Sequence, residues 1–306
     1  MEAKYIYFKG EFVPWNDAKI HILSHVVQYG SGVFEGIRCY NTKNGPAIFR
    51  AYDHYKRLQE SMKSYRMEIP ETIEDLIQIT KELLIKNDLK DAYIRPIVYR
   101  GLGEISPNPL PVKVELSIAA FAMGGLFEES EDKGVNVMVS SWRRFAPDTL
   151  PSLAKATGNY LNSELAMIEA EENGFDEAIM LDIYGFVAEG PGENVFVVKD
   201  STLYTPTVTS SILKGITRDS VNKIAEKLGI KVVEEHMPRE MLYAADEAFF
   251  SGTAAEITPI VSIDRRKIGT GKLGEITKRI RDEFRKVTYA GEDPFDWLEY
   301  VDFEAM

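Results

Sequence analysis

The sequence predicts a two-domain chain of mixed α+β and α/β architecture, and three observations predict it. Its 306 residues suit two hydrophobic cores better than one. Strand-like apolar runs are interleaved with helix-period segments along the whole length. Near the middle, "GGLFEESEDKG" at 124–134 joins glycines to an acidic run with little apolar pattern, as a link between halves would. The expected division is a smaller N-terminal domain over 1–123, an interdomain loop over 124–134 and a larger C-terminal domain over 135–306.

The elements follow in order. "KYIYFKGEFVPW" reads as a hairpin of two aromatic-rich strands around Lys9-Gly10. "AYDHYKRLQESMKSYRM" predicts a helix with Asp53 as N-cap and Leu58, Met62 and Tyr65 on one face. A second helix is expected from about Ile73 to Lys86, then strands in "AYIRPIVYRG" and "KVELSIAAFAM". After the link come a strand in "VNVMVSSW", a helix over 159–173 ended by Gly174, and two strands in "EAIMLDIYGFVAEG" about Tyr184-Gly185. "NVFVVKDSTLYTP" is a further hairpin. A helix over about Arg218–Leu228 turns Val221, Ile224, Ala225 and Leu228 inward and stops at Gly229. "EAFFSGTAAEITPI" is a strand that breaks into a turn of small residues.

Composition narrows the function. Hydrophobic residues at 44% and charged residues at 27% are ordinary for a globular protein. A formal net charge of −12 disfavours nucleic acid and anionic membranes as partners, so an anionic ligand needs its own local arginines or helix N-termini. One cysteine, Cys39, permits no intrachain disulfide and suits the reducing cytoplasm. The opening "MEAKYIYFKGEFVPW" lacks both a basic region and an unbroken apolar run, so no secretory signal is expected. No stretch nears the roughly 18 apolar residues of a membrane span. The four histidines form neither H-E-x-x-H nor a set with cysteine, and no metal is expected.

Several stretches could carry chemistry. "LAKATGNYLNSEL" sets Lys155 among small and apolar residues ahead of a helix. Such a lysine either lays its stem on apolar surface with its head in water, or is desolvated enough for a neutral amine to form a Schiff base. "SSILKGITRDSV" joins Gly215 to Ile216-Thr217 at a helix start, where backbone N–H groups suit a phosphate; an ordinary N-cap by Thr217 is the alternative. Neither a Walker loop nor G-x-G-x-x-G is present, which disfavours nucleotides. Gly252, Thr253 and Ala254 leave amides open to a carboxylate or phosphate, or simply make a tight turn. In "AEGPGENVF", Glu189 and Glu193 are solvated turn acids, or one of them faces inward and holds a cationic ring nitrogen or a proton. Tyr93 and Arg95, two apart on a strand, share a face. "QYGSGVFEGIRCY" suits an apolar pocket or a packed loop, and Arg57 is an anion ligand or a surface cation. Together these residues make one inventory: a nucleophilic lysine, a phosphate cradle, an acid, arginines and an aromatic pocket.

Six motifs in order, "YGSGVFEGIRCY", "YIRPIV", "KATGNYLNS", "EGPGENVF", "LKGITRDS" and "SGTAAEITP", identify the family. The sequence resembles the branched-chain amino-acid aminotransferases, class IV of the pyridoxal-phosphate transaminases, with the D-amino-acid-transaminase-like fold (fold type IV). The resemblance implies pyridoxal 5′-phosphate as cofactor, Lys155 as its Schiff-base lysine and Tyr160 as donor to the ring hydroxyl oxygen. It implies Glu189 on the pyridine nitrogen and Leu213 against the ring. The phosphate falls to Arg57, Ile216, Thr217 and Thr253, with Gly215 and Gly252 beside them. The substrate α-carboxylate falls to Thr253, Ala254 and Tyr93. Tyr29, Phe34, Gly36 and Tyr160 line the side-chain pocket, and Arg95 meets the distal carboxylate of glutamate.

The implied reaction is a ping-pong transfer of the amino group of L-leucine, L-isoleucine or L-valine to 2-oxoglutarate, with amino acids and 2-oxo acids as partners. The implied assembly is a homo-oligomer, a dimer at least. A D-amino-acid transaminase or aminodeoxychorismate lyase would share the cofactor residues, and a non-catalytic pyridoxal-phosphate-binding protein or a ligand-free structural protein are the other classes. One loop departs from the family: where many relatives carry Met-Gly-Val before Asn-Pro, this chain has "EISPNP", with Ile105, Ser106 and Pro107. That loop shapes the side-chain pocket in the family, so the preference among the three amino acids is open.

Overall fold

The computed structural model describes residues 2–123 and 133–304, so most of the expected interdomain loop, 124–132, lies outside the described residues. Two compact units divide the chain. The first comprises the described residues up to 123, residues 154–158 and those from 286 on; the second comprises the rest. The expected C-terminal domain over 135–306 therefore loses two segments to the first unit.

The first unit is built on an eight-stranded sheet, antiparallel throughout. β1 (Tyr5–Phe8) and β2 (Glu11–Pro14) form the expected hairpin, with Lys9 and Gly10 both at positive φ, 56° and 103°. After α1 (His25–Tyr29) come β3 (Gly32–Phe34), β4 (Ile37–Thr42) and β5 (Gly45–Phe49), then α2 (Ala51–Ser64) and α3 (Ile73–Asn87). β6 (Ala92–Arg100) and β7 (Val114–Phe121) complete the long central pairing. Helix α2 starts two residues before the expected Asp53 cap; Arg50 is its N-cap, and Asp53 takes Arg50 Nε at 2.6 Å within the first turn. Helix α3 is closed by a capping box between Thr72 and Asp75. Tyr55, Leu58 and Met62 of α2 and Leu76, Leu83 and Leu84 of α3 are buried with Ile37, Ile48, Ile94, Val98 and Ile118 of the sheet. Because strand side chains alternate, burying Ile94 and Val98 on that face turns Tyr93 and Arg95 to the other.

In the second unit β8 (Val135–Arg143) precedes α4 (Tyr160–Glu172), β9 (Glu177–Leu181), β10 (Val187–Glu189), β11 (Asn194–Lys199) and β12 (Thr202–Pro206). Then follow α5 (Ile216–Lys227), β13 (Val232–Glu235), α6 (Arg239–Tyr243), β14 (Glu247–Gly252), β15 (Glu256–Ile263), β16 (Arg266–Lys267) and α7 (Glu275–Thr288). Their nine-stranded sheet is mixed: β8 runs parallel to β9 and β15, and β12 parallel to β13, while the other pairs are antiparallel. Val137, Val139, Ile179, Val195, Val197, Phe250 and Ile260 make one core with Leu242 of α6. Ala166 and Ala170 of α4 meet Ala178 and Met180. Gly215, not Thr217, is the N-cap of α5, which begins two residues before the expected start.

The two transferred segments have local causes. β17 (Leu298–Tyr300) adds to the sheet edge with Leu298 opposite Phe49, and Trp297 lies edge-on to Phe49 at 5.6 Å. Residues 154–158 are stitched to β3 by a bridge between Ala156 and Val33, and Thr157 Oγ1 donates to Gly30 O at 2.6 Å. No sequence period announces such long-range pairings.

Arg100, 2% exposed, is a charged side chain buried in the first unit. Its Nη1 donates to Pro109 O at 2.6 Å and Val112 O at 3.1 Å, and its Nη2 to Arg66 O at 3.0 Å and Tyr65 O at 3.2 Å. It thereby ties the end of α2 to the β6–β7 connection. Arg100→Met strands those carbonyls, and the expected loss is about 3 kcal/mol of stability. A lower urea midpoint at unchanged slope is the expected result; an unchanged midpoint means that water serves the carbonyls as well as the guanidinium does.

Candidate functional site

The first unit gathers Lys155, Phe34, Gly36, Tyr93, Arg95 and Arg57. The main chain of Lys155 is fixed at both ends: its N–H donates to Ser61 Oγ of α2 at 3.0 Å and its carbonyl accepts from Phe34 N at 2.9 Å. Ala154 and Ala156 are buried on either side while Lys155 is half-buried, with Nζ 5.0 Å from the centre of the Phe34 ring. Small neighbours are what let the lysine backbone lie this close to β3.

Beside it, Arg95 Nη2 donates to Tyr93 Oη at 3.1 Å, and its guanidinium carbon lies 4.8 Å from the Phe34 ring centre. Among the described residues Arg95 Nε is buried without a hydrogen-bond partner. The Tyr93 hydroxyl fills the space a side chain at residue 36 would need, since a Cβ on Gly36 would collide with it. Tyr29 ends α1, 43% exposed, with its ring against His25.

Arg57 is no surface cation. Its Nε and Nη2 donate to the two oxygens of Glu35 at 2.7 and 2.8 Å, and His54 Nδ1 lies 2.8 Å from Glu35 Oε2. A carboxylate only accepts, so Nδ1 carries the hydrogen. Burial works to raise the Glu35 carboxyl, but the Arg57 charge and the bonds from His54 and Arg57 outweigh it and hold the group well below the usual carboxylate range. Burial pushes His54 down, with the Arg57 and Arg50 charges acting the same way against the pull of Glu35. Sequence reasoning missed Glu35 and His54. The available signals were an acid inside the apolar "GVFEGI" and a histidine three residues before Arg57 on one helix face.

The second unit gathers Glu189, Leu213, Gly215, Ile216, Thr217, Gly252, Thr253 and Ala254 at one end of its sheet. Glu189 ends β10 opposite Asn194 of β11, and Asn194 is opposite Ser251 of β14. Gly252 therefore ends β14 at this place, and Thr253 and Ala254 are in the turn that follows it. Glu189 Oε1 takes Arg144 Nη2 at 3.0 Å, and Oε2 takes Asn194 Nδ2 at 3.0 Å and the Leu213 amide at 2.9 Å. The Asn194 amide also donates to Leu213 O at 2.9 Å, which brings the approach to α5 beside Glu189. Gly215 is required here because a Cβ would strike Asn194 Oδ1. Thr217 is buried in the first turn of α5, and Tyr160 opens α4. Ser251 Oγ, at the same strand ends, is buried with no hydrogen-bond partner among the described residues. Arg144 and Asn194 were not foreseen; "SWRRFAP" gives only a doubled arginine after a strand, and Asn194 sits unremarked inside a quoted motif.

The Amino-transferase class IV family matches residues 32–263. The chain is 48% identical to the branched-chain-amino-acid aminotransferase of Escherichia coli over 303 residues, 98% of each chain. The crystal structure of an E. coli branched-chain amino acid aminotransferase superposes with a TM-score of 0.96 at 46% identity, covering 98% of this chain and 100% of that one. The branched-chain amino acid aminotransferase of Thermobaculum terrenum, solved in its PLP form, superposes with a TM-score of 0.92 at 39% identity, covering 98% and 99%.

The buried Glu35 cluster sets an acid limit to stability. Both Glu35 and His54 bind a proton more readily in the unfolded chain, so their contributions are full above about pH 6.5 and decline below it. The His54 contribution starts to fall at about pH 6.5, and the Glu35 contribution at about pH 4.3. The melting temperature should fall progressively from pH 7 to pH 4. Glu35→Gln leaves Arg57 without its carboxylate and should cost about 3 kcal/mol at pH 7, the gap to the parent narrowing below about pH 4. Parallel pH profiles for the two proteins would contradict this assignment.

Proposed function

The chain belongs to the class IV aminotransferases, among the branched-chain-amino-acid aminotransferases, and we propose that it moves the amino group of L-leucine, L-isoleucine or L-valine to 2-oxoglutarate by a ping-pong route. Lys155 carries the proposal: a half-buried amine on a fixed main chain, in the same unit as the Tyr93–Arg95 pair. The cofactor of this reading is pyridoxal 5′-phosphate. When bound, it supplies an electron sink for charge left at the substrate α-carbon.

The residues present fit that group. Glu189 is kept as an acceptor by Arg144, Asn194 and the Leu213 amide, which suits a carboxylate paired with a protonated pyridine nitrogen. The Ile216 and Thr217 amides lie in the first turn of α5, whose N-cap Gly215 makes no side-chain cap bond, and that turn suits a phosphate. Arg57 and Thr253 are assigned to the phosphate set as well, as are Gly215 and Gly252. Tyr160 serves the ring hydroxyl oxygen, and Leu213 packs against the ring.

In the proposed reaction Lys155 Nζ would hold the cofactor at rest and, once displaced by the substrate amine, would act as the base that takes the α-proton and as the acid that gives it back. Thr253, Ala254 and Tyr93 hold the α-carboxylate. Tyr29, Phe34, Gly36 and Tyr160 line the side-chain pocket. Arg95 receives the distal carboxylate of glutamate or 2-oxoglutarate, for which its Nε, without a partner among the described residues, is an available donor. A branched side chain leaves the same guanidinium to water and Tyr93. The proposal includes a homo-oligomer in the cytoplasm, supported by the family resemblance and the single cysteine.

Two variants test this reading. Lys155→Ala is expected to lose multiple turnover of L-leucine with 2-oxoglutarate, by at least 1,000-fold on the order of magnitude usual for a lost nucleophile, while cofactor still binds. Turnover near the parent rate would assign the chemistry to another lysine. Arg95→Ala should lower kcat/KM for 2-oxoglutarate by roughly 30-fold or more and that for 4-methyl-2-oxopentanoate far less, assayed against pyridoxamine-form enzyme. Equal losses would make Arg95 a structural residue.

A further inference from the structure

His25 has no part in the reaction proposed above, yet it is 3% exposed and three contacts radiate from its ring. Nε2 lies 2.9 Å from the backbone oxygen of Ser106. A carbonyl only accepts, so Nε2 carries a hydrogen and donates it. Nδ1 lies 2.6 Å from Ser31 Oγ, and in the neutral ring it accepts from that hydroxyl. One side of the ring lies against Tyr29, with centroids 4.6 Å apart and planes tilted by 47°. The His25 amide donates to Gly101 O at 2.8 Å, and Ser24 bridges to Leu102. α1 is thus joined to the start of the loop that follows β6, and the imidazole reaches its middle.

Arg100 holds the loop further on, at Pro109 and Val112, but its Glu104–Asn108 segment has little else among the described residues to hold it. Glu104, Ile105, Pro107 and Asn108 are exposed, and its own bonds are short-range: Ser106 N to Glu104 O at 3.1 Å and Asn108 N to Ser106 Oγ at 3.2 Å. A segment whose side chains lie mostly in solvent takes its place from the hydrogen bonds that reach it from a rigid element. For Ser106 that bond comes from His25.

We propose that His25 is a positioning residue for substrate side-chain selection, holding Tyr29 and the Glu104–Asn108 loop in one arrangement through its ring face and its Nε2–H. This rests on the reading above in which Tyr29 lines the side-chain pocket, and on the resemblance by which the loop shapes it. The imidazole couples the two because one ring cannot shift to follow one of them without leaving the other.

The test compares His25→Leu, His25→Gln and Ser31→Ala with the parent, all as holoenzyme. For His25→Leu, the ratio of kcat/KM for 4-methyl-2-oxopentanoate to that for 2-oxobutanoate should fall about tenfold, with cofactor content unchanged. Hydrogen exchange at the Ser106 and Asn108 amides should quicken while the amides of α3 keep their protection. His25→Gln retains a donor near the Nε2 position and should recover part of both effects. Ser31→Ala should show the same changes more weakly, and it carries the comparison should His25→Leu not fold. An unchanged ratio with unchanged loop exchange would overturn the proposal, as would an equal fall for both oxo acids with a lower melting temperature. A parent without branched-chain activity would instead refute the proposed function, and the exchange measurement would still report whether His25 holds the loop.

Discussion

A carboxylate cut off from water needs a donor for nearly every lone pair, and each unit of this chain is organised around one such group. In the first, Glu35 takes a bidentate bond from Arg57 and a third from His54. In the second, Glu189 takes Arg144, Asn194 and the Leu213 amide. Satisfying these charges fixes far more than the charges themselves. Glu35 lies between β3 and β4, so Arg57 and His54 commit one face of α2 to that connection. Asn194 commits the approach to α5 to the end of β11. A half-satisfied version of either set would cost more than an apolar replacement, which explains why the donors come from rigid elements or from backbone amides.

Glu177 shows the opposite solution to the same constraint. It is buried at the start of β9 and accepts only from the Ala178 amide at 2.8 Å among the hydrogen bonds described. Burial and the nearby Glu193 charge push its carboxyl up to about 9, so it is protonated at neutral pH. Glu193 in turn lies against Gly190, where a Cβ would come within 2.8 Å of Oε2, and Gly252, where one would come within 3.5 Å of Cγ. One buried acid is kept charged by a complete donor set and another is kept neutral by the lack of one. The difference is in partners rather than depth.

These distinctions decide what the sequence could reveal. Local chemistry was legible: Lys9-Gly10 as a turn, the α3 segment as a helix, and Tyr93 with Arg95 on one strand face, because each is settled within a few residues. The start of α2 was misplaced because a good capping residue, Asp53, was used inside the first turn as the partner of Arg50. Thr217 misled in the same way, with Gly215 taking the cap so that the chain could pass Asn194. The division at 124–134 suggested one later domain, and the return of β17 to Phe49 has no local signature. Of the proposed site, the residues to which direct roles are assigned stood out by type and motif. Those that hold them, Glu35, His54, Arg144 and Asn194, became visible only as distances, since a supporting donor can come from any element that reaches.

The arrangement around Lys155 suits the role proposed for it, an amine that bonds and then lets go. A helix interior would fix the lysine main chain but crowd its stem against neighbouring turns. A free loop would leave the stem open but its origin uncertain. Here the peptide is held on both sides, by Ser61 Oγ on its N–H and by the Phe34 amide on its carbonyl, and the flanking alanines are buried. The side chain itself is half-buried over the Phe34 ring. A fixed origin and a movable tip limit the amine to a short arc, so proton transfer and covalent attachment can share one group without reorganising the backbone. The glycines nearby serve the same end: Gly30, at φ 65°, and Gly32 let Thr157 donate to their carbonyls, which completes the anchoring of the segment that carries the lysine.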